Sequence, residues 1–277
     1  MTIRTRSSVP TFTAASAVRS LGDGTYTASL PAEWTIGPKP HGGFLLVLAA
    51  RAAVRTATDA VPGTEGLAPL AVSSQFLRAP EVGPVLLRTE IRKSGRTATV
   101  VATTIEQRGR SCVESVVTVG RLPEQVPDYV ALPSLPAEPP ADSIDLSTME
   151  SGGVYKLGAV CDVRLDQQGA GFLTGRTGDP LVLRLWVRPK GERPDPYFAL
   201  VAGDISMPVT FNLGRFGWSP TVQLTALMRG VPAPGWLRVQ VSCSAVHGQW
   251  FDEDAVVIDS AGRLVCQSRQ LALTPAG

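Results

Sequence analysis

The sequence has little that could hold a metal or a redox group. Its 277 residues include two histidines, His41 and His247, and four cysteines, Cys112, Cys161, Cys243 and Cys266, set far apart. No Cys-x-x-Cys pair occurs, so zinc-ligand spacing is missing and a multi-histidine site is excluded. Reduced cysteines acting as small apolar fillers are expected. Charge is also scarce, at 18% of residues with a net charge of +2. That balance makes no broad field for a polyanion, and no nucleic-acid partner is expected. The small basic cluster Arg92, Lys93 and Arg96 reads as a solvated strand end or as a meeting point for one phosphate. No apolar run reaches the roughly 18 residues of a membrane span. The longest, Phe44 to Ala50, is stopped by Arg51. The start, Met1 to Ser8, is basic but has no apolar stretch behind it, so no secretory signal is read and a cytoplasmic protein is expected. GxSxG, GxGxxG, Walker and HExxH signatures are all missing.

What the chain does have is apolar residues, 44% of the total, enough for a sizeable core. It also has a clear middle. Pro123, Pro127, Pro133, Pro136, Pro139 and Pro140 crowd one stretch, where fixed φ angles and missing donors predict an extended linker. The expected division is 1–122, a linker over 123–150, and 151–277.

The two halves read alike. In the first, Tyr26–Leu30 is strand-like, and His41-Gly42-Gly43 opens a helix over Phe44 to Thr56 that is apolar on nearly every side. Strands follow at Ala71–Leu77, Val85–Ile91, Thr97–Gln107 and Ser111–Val119. In the second, Leu181–Val187 is strand-like. Asp195-Pro196 starts a helix, since Asp caps free amides and proline suits the first helical position. Strands follow at Thr221–Met228, Leu237–Ala245, Gln249–Ile258 and Leu264–Leu273. A strand–helix–four-strand unit used twice resembles a symmetric dimer fused into one chain. The expected class is α+β, with antiparallel strands around a buried helix.

Four places could carry chemistry. Asp204 ends an apolar helix, where burial would raise its pKa and suit it to a base's role; an exposed turn residue is the plain alternative. Thr225 alternates with Thr221 and Gln223 on one face of its strand, as any strand threonine would. Gln270 shares a face with Ser268 and must hydrogen-bond something if that face is inner. The His41-Gly42-Gly43 turn offers helix-start amides that could receive a carbonyl oxygen, or is simply a glycine-rich helix start.

Together these segments resemble the acyl-CoA thioesterase II family, the tandem or double hotdog enzymes. The resemblance runs through Trp34, His41-Gly42-Gly43, Ser74-Gln75-Phe76-Leu77-Arg78-Ala79-Pro80, Ala202-Gly203-Asp204, Gln223-Leu224-Thr225 and the strand Leu264 to Gln270. It departs from the family pattern at Gln223, Gly203 and Ala79. It implies a double hotdog fold, each unit an antiparallel sheet wrapped around a central helix. It implies hydrolysis of fatty acyl-CoA to free fatty acid and coenzyme A, with Asp204, Thr225 and Gln270 orienting the water. His41, Gly42 and Gly43 would bind substrate, the two glycine amides receiving the thioester oxygen. No metal or bound cofactor would be needed, and a homodimer is suggested. Val117 stands at the repeat position of Gln270, which implies one working site per chain. A non-catalytic acyl-CoA-binding protein of the same fold is the alternative. A hotdog hydratase is disfavoured, because Asp204 to Val209 lacks the asparagine and histidine of that chemistry.

Overall fold

A run of side chains apolar on every side has to be covered on every side, and Gly42–Ala60 is such a run. In the computed structural model, which describes residues 9–60, 66–148 and 155–275, this segment is one helix of 19 residues whose stretch from Gly43 to Ala50 is wholly buried. It is the second α-helix among the described residues. The first half reads α1 Phe12–Ala15, β1 Arg19–Gly22, β2 Thr25–Leu30, β3 Thr35–Ile36, β4 Lys39–Pro40, α2 Gly42–Ala60, β5 Ala68–Phe76, β6 Gly83–Lys93, β7 Ala98–Gln107 and β8 Arg110–Gly120. The second half reads β9 Ile144–Asp145, β10 Cys161–Leu165, β11 Val182–Pro189, α3 Pro196–Ala202, β12 Thr221–Met228, β13 Leu237–Ser242, β14 Val246–His247, β15 Trp250–Ile258 and β16 Leu264–Leu273. Met1 to Ser8, read above as lacking a secretory signal, lie outside the described residues, as does the expected boundary at 150/151.

Fourteen strands form one antiparallel sheet, and its order displays the repeat. Strands β2-β6-β7-β8-β5 of the first half are matched by β11-β13-β15-β16-β12 of the second. The halves join where β5 pairs with β12, with Ser73 opposite Thr225. Even the irregularities repeat. The register slips between Pro69 and Ala71 on β5 and at the equivalent place, between Thr221 and Gln223, on β12. A bulge adds one residue and turns the following side chains to the other face.

The helices start as their sequences dictate. Asp195 caps α3, its Oδ1 accepting the Phe198 amide at 2.7 Å, with Pro196 in the first turn. The helix lasts seven residues and is followed by Gly203 and Asp204. At the start of α2, His41 acts as the cap: its Nδ1 accepts the Phe44 amide at 3.3 Å.

The proline-rich segment has no helix or strand from 123 to 143, then ends in β9, which pairs with β10. It is held against the second half rather than swinging free. The Trp186 indole donates to the Pro136 carbonyl at 2.9 Å, Arg238 donates to the Leu135 carbonyl at 2.8 Å, and Leu135 and Leu146 are buried.

Candidate active site

Asp204 sits where the end of α3 meets the start of α2. Its Oδ2 accepts the Gly43 amide at 2.5 Å. Its backbone carbonyl accepts from the His41 ring, Nε2 to oxygen 2.9 Å. Because His41 Nδ1 accepts from Phe44 and Nε2 donates to Asp204, the ring is held in the Nε2–H tautomer. The two glycines are required by space. A Cβ at position 42 would lie 2.7 Å from Asp204 Oδ2, and one at 43 would lie 3.1 Å from both Asp204 Cβ and Val201 Cα. Only a bare backbone lets the carboxylate reach the helix end. The positive end of a 19-residue helix steadies the ionised form.

Burial pushes the Asp204 carboxyl above the usual aspartate range, while the His41 ring and the Gly43 amide pull it back. The alternative of an exposed turn residue is therefore corrected: the side chain is 9% exposed. Among the described residues its Oδ1 accepts no hydrogen bond.

Gln270 faces the same space. On β16, Cys266, Ser268, Gln270 and Ala272 point inward, whereas Arg269 and Leu271 are exposed. Ser268 ties this face to the helix end, its Oγ donating to the Gly203 carbonyl at 2.5 Å. The Gln270 amide is gripped at both ends. Thr221 Oγ1 donates to Oε1 at 2.6 Å, and Nε2 donates to Glu253 Oε2 at 2.5 Å. The other Glu253 oxygen accepts the Val209 amide at 2.8 Å.

Thr225 is elsewhere, which corrects the sequence reading. It pairs with exposed Arg269 on one side and with Ser73 on the other, while its strand neighbours Leu224 and Ala226 are buried. Its hydroxyl is 2.9 Å from Ser73 Oγ and accepts from Gln223 Nε2 at 2.7 Å. It therefore lies on the outer face of the sheet, opposite to Asp204 and Gln270. The bulge explains the difference. It breaks the two-residue alternation after Thr221, so Thr221 faces inward although Gln223 and Thr225 face out.

The glycine turn also needs correction. The Gly43 amide is engaged by Asp204, so of the two expected oxyanion donors Gly43 already has a partner. At the repeat-equivalent position in the first half, the bulge carries Pro69 and the β8 position is Val117, which is fully buried. That constellation is apolar, so the polar cluster occurs once.

Two residues were missed in the sequence. Thr221 was grouped on one face with Gln223 and Thr225, from which the bulge separates it, and Glu253 falls within the strand read as Gln249–Ile258. The Asp252-Glu253-Asp254 triplet looks solvated, yet Glu253 is 4% exposed. Burial pushes its pKa up to about 8, against the Val209 and Gln270 hydrogen bonds, with the charges of Asp204 and Asp252 pushing the same way as burial. Arg92 of the basic cluster is exposed and paired with Glu90 at 2.8 Å. All four cysteines are free thiols. Among the described residues no group of three His, Cys, Asp or Glu side chains could hold a metal ion, and no helix is long and apolar enough to cross a membrane.

The chain is similar to known proteins over nearly its whole length. It is 42% identical over 268 residues to the uncharacterized protein Rv0499 of Mycobacterium tuberculosis, covering 91% of each chain. A Thermobifida fusca protein described as a thioesterase II superposes with a TM-score of 0.82 at 30% identity, covering 96% of this chain and 99% of that one. The acyl-CoA thioesterase II TesB2 of Mycobacterium marinum superposes with a TM-score of 0.70 at 17% identity, over 94% and 95% of the two chains, and shows the fold alone. A hot dog protein from Alicyclobacillus acidocaldarius does the same, with a TM-score of 0.79 at 21% identity over 96% and 98%. The fold is thus the double hotdog. Residues 30–120 match the acyl-CoA thioesterase N-terminal domain and residues 127–274 the acyl-CoA thioesterase C-terminal domain, so the chain belongs to the acyl-CoA thioesterase family.

Proposed function

We propose that the chain hydrolyses fatty acyl-CoA esters to free fatty acid and coenzyme A, at one site built from Asp204, Gln270 and Thr221. The observation that carries this reading is Asp204 itself: a carboxylate buried at a helix start, its pKa raised, with Oδ2 fixed by Gly43. A raised pKa makes it a stronger base, and general-base help of this kind is typically worth about 10²–10⁴-fold.

The step balances simply. A water held at Asp204 Oδ1 attacks the thioester carbonyl carbon and gives its proton to the carboxylate. The tetrahedral oxyanion collapses, the C–S bond breaks, and the departing thiolate takes the proton from Asp204. Thr221 and Gln270 hold the water in line. With Gly43 committed to Asp204, the Gly42 amide at the helix start receives the thioester oxygen. Thr225, the expected third member, gives way to Thr221 because Thr221 shares the face of Gln270. The protein acts in the cytoplasm as a homodimer in this reading, with no metal or bound cofactor.

The test is thiol release from a panel of short to long acyl-CoA esters by wild type and Asp204→Asn. Release that depends on Asp204 supports the reading and gives the chain-length preference. Binding of the esters with no release by the wild type indicates an acyl-CoA-binding protein instead.

A further inference from the structure

Glu253 lies on β15 beside the proposed site, and its surroundings are unusual for a carboxylate. It is 4% exposed and, among the described residues, it has no cationic partner within ion-pair distance. The groups that surround it are acidic or neutral. Asp204 faces it from the end of α3, Asp252 adjoins it on β15, and the Cys243 thiol follows β13. From β16 it meets the neutral amide of Gln270, and Arg269 on that strand is turned outward to Asp254. Two donors hold it: the Val209 amide on Oε1 and Gln270 Nε2 on Oε2.

An amide side chain can face its partners in two ways, with oxygen and nitrogen exchanged. An ionised carboxylate only accepts, so it admits only the nitrogen end of Gln270. The oxygen end is then turned to Thr221, whose hydroxyl donates to it. A protonated Glu253 carries a donor of its own and can face the oxygen end equally well. The Thr221 hydroxyl, being donor and acceptor, tolerates either arrangement. The proton on Glu253 therefore decides whether the amide has one orientation or two. The first-half counterpart of Gln270, Val117, has no such choice to make.

We propose that Glu253 is a positioning residue for thioester hydrolysis: its ionised carboxylate locks the Gln270 amide so that Oε1 meets Thr221 and the second Nε2 hydrogen is presented to the reacting water. This rests on the thioesterase reading given above. Glu253 does not touch substrate; it acts through Gln270.

The experiment is a pH profile of kcat and KM from pH 5 to 10 for the full chain, using the acyl-CoA ester that the wild type turns over fastest. Glu253→Gln, Gln270→Ala and the double variant are compared with wild type. In wild type, kcat rises through a limb near pH 8, where Glu253 ionises, in addition to the limb set by Asp204. Glu253→Gln offers one acceptor to two donors. It lowers kcat roughly 10- to 100-fold, an effect of the size expected for a misplaced catalytic group, with KM within about twofold, and the limb near pH 8 disappears. The double variant is no slower than Gln270→Ala alone, because Glu253 acts through that residue. Thiol release by wild type with no limb near pH 8 overturns the proposal whether or not Glu253→Gln folds. So does a limb that survives in Glu253→Gln, or additive losses in the double variant. No thiol release from any ester by the wild type removes the thioesterase reading, and this proposal with it, and so marks a different failure.

Discussion

Replacing Gly42 by alanine tests the site's geometry with a single methyl group. In an ordinary helix interior the change would stabilise, because alanine is favoured over glycine by about 1 kcal/mol. Here the new Cβ would stand 2.7 Å from Asp204 Oδ2 and 3.5 Å from Phe76 Cζ. An ordinary contact is at least 3.4 Å, so the carboxylate must retreat by roughly 0.7 Å. That movement stretches the 2.5 Å bond from the Gly43 amide to Asp204. Losing a hydrogen bond to a charged group costs about 1.5–3 kcal/mol, which the helix gain offsets only in part. Net destabilisation is about 0.5–2 kcal/mol, or a fall in Tm of roughly 1–8 °C for a chain of this size. The effect on catalysis is larger, since a shift approaching 1 Å at a catalytic group costs on the order of 10²-fold in rate. The assay is kcat for thiol release alongside a thermal melt. A variant that keeps the wild-type kcat would refute the tight placement of Asp204 against the helix start.

Other consequences follow from the same geometry. Thr221→Val leaves Gln270 Oε1 without its donor and lowers kcat by roughly 10-fold or more, whereas Thr225→Val, on the outer face, stays within about twofold; equal losses would reinstate Thr225. Asp204→Asn lowers kcat by about 10²-fold or more. Because the folded-state pKa of Asp204 is raised, the ionised side chain weakens the fold as pH climbs through that value, so Asp204→Asn gains stability relative to wild type as pH rises. Denaturant melts between pH 4 and 8 check the sign, and a gap that shrinks with rising pH contradicts it. Glu253 acts in the same direction. Its contribution to stability is fully present below pH 4.5 and is lost as pH rises through about 8, a cost of about 3 kcal/mol by pH 7. Wild-type stability that climbs over that interval would show Glu253 ionising freely.

The architecture was legible because it rests on hydrophobic burial and turn chemistry, which are local in sequence. Strands β12 and β16 run over the residues expected, Thr221–Met228 and Leu264–Leu273. The all-round apolar run became the buried α2, and the Asp195-Pro196 start became the α3 cap. Short elements that owe their form to neighbours left no such signal, as with β1, β9, β10 and the four-residue α1. The site was half legible. Asp204 stood out because a polar residue ending an apolar helix is conspicuous, whereas Gln270, in the polar run Gln267 to Gln270, was singled out by the family resemblance. The bulge at Thr221 could not, since alternation assumes an unbroken register and one extra residue reverses the face. Glu253 was hidden for the opposite reason: flanked by Asp252 and Asp254, it resembles a solvated strand, and only the packing of Val209 and Gln270 over it reveals its burial.

The central claim is that water, directed by Asp204, attacks the thioester itself. A single turnover in ¹⁸O-enriched water, with enzyme in excess over the acyl-CoA ester, tests it directly. The account predicts one ¹⁸O in the carboxylate of the fatty acid released in that first turnover, and none in Asp204. Unlabelled acid with ¹⁸O in the Asp204 carboxylate would instead mean that Asp204 attacks the thioester and forms a covalent intermediate, and would contradict the account.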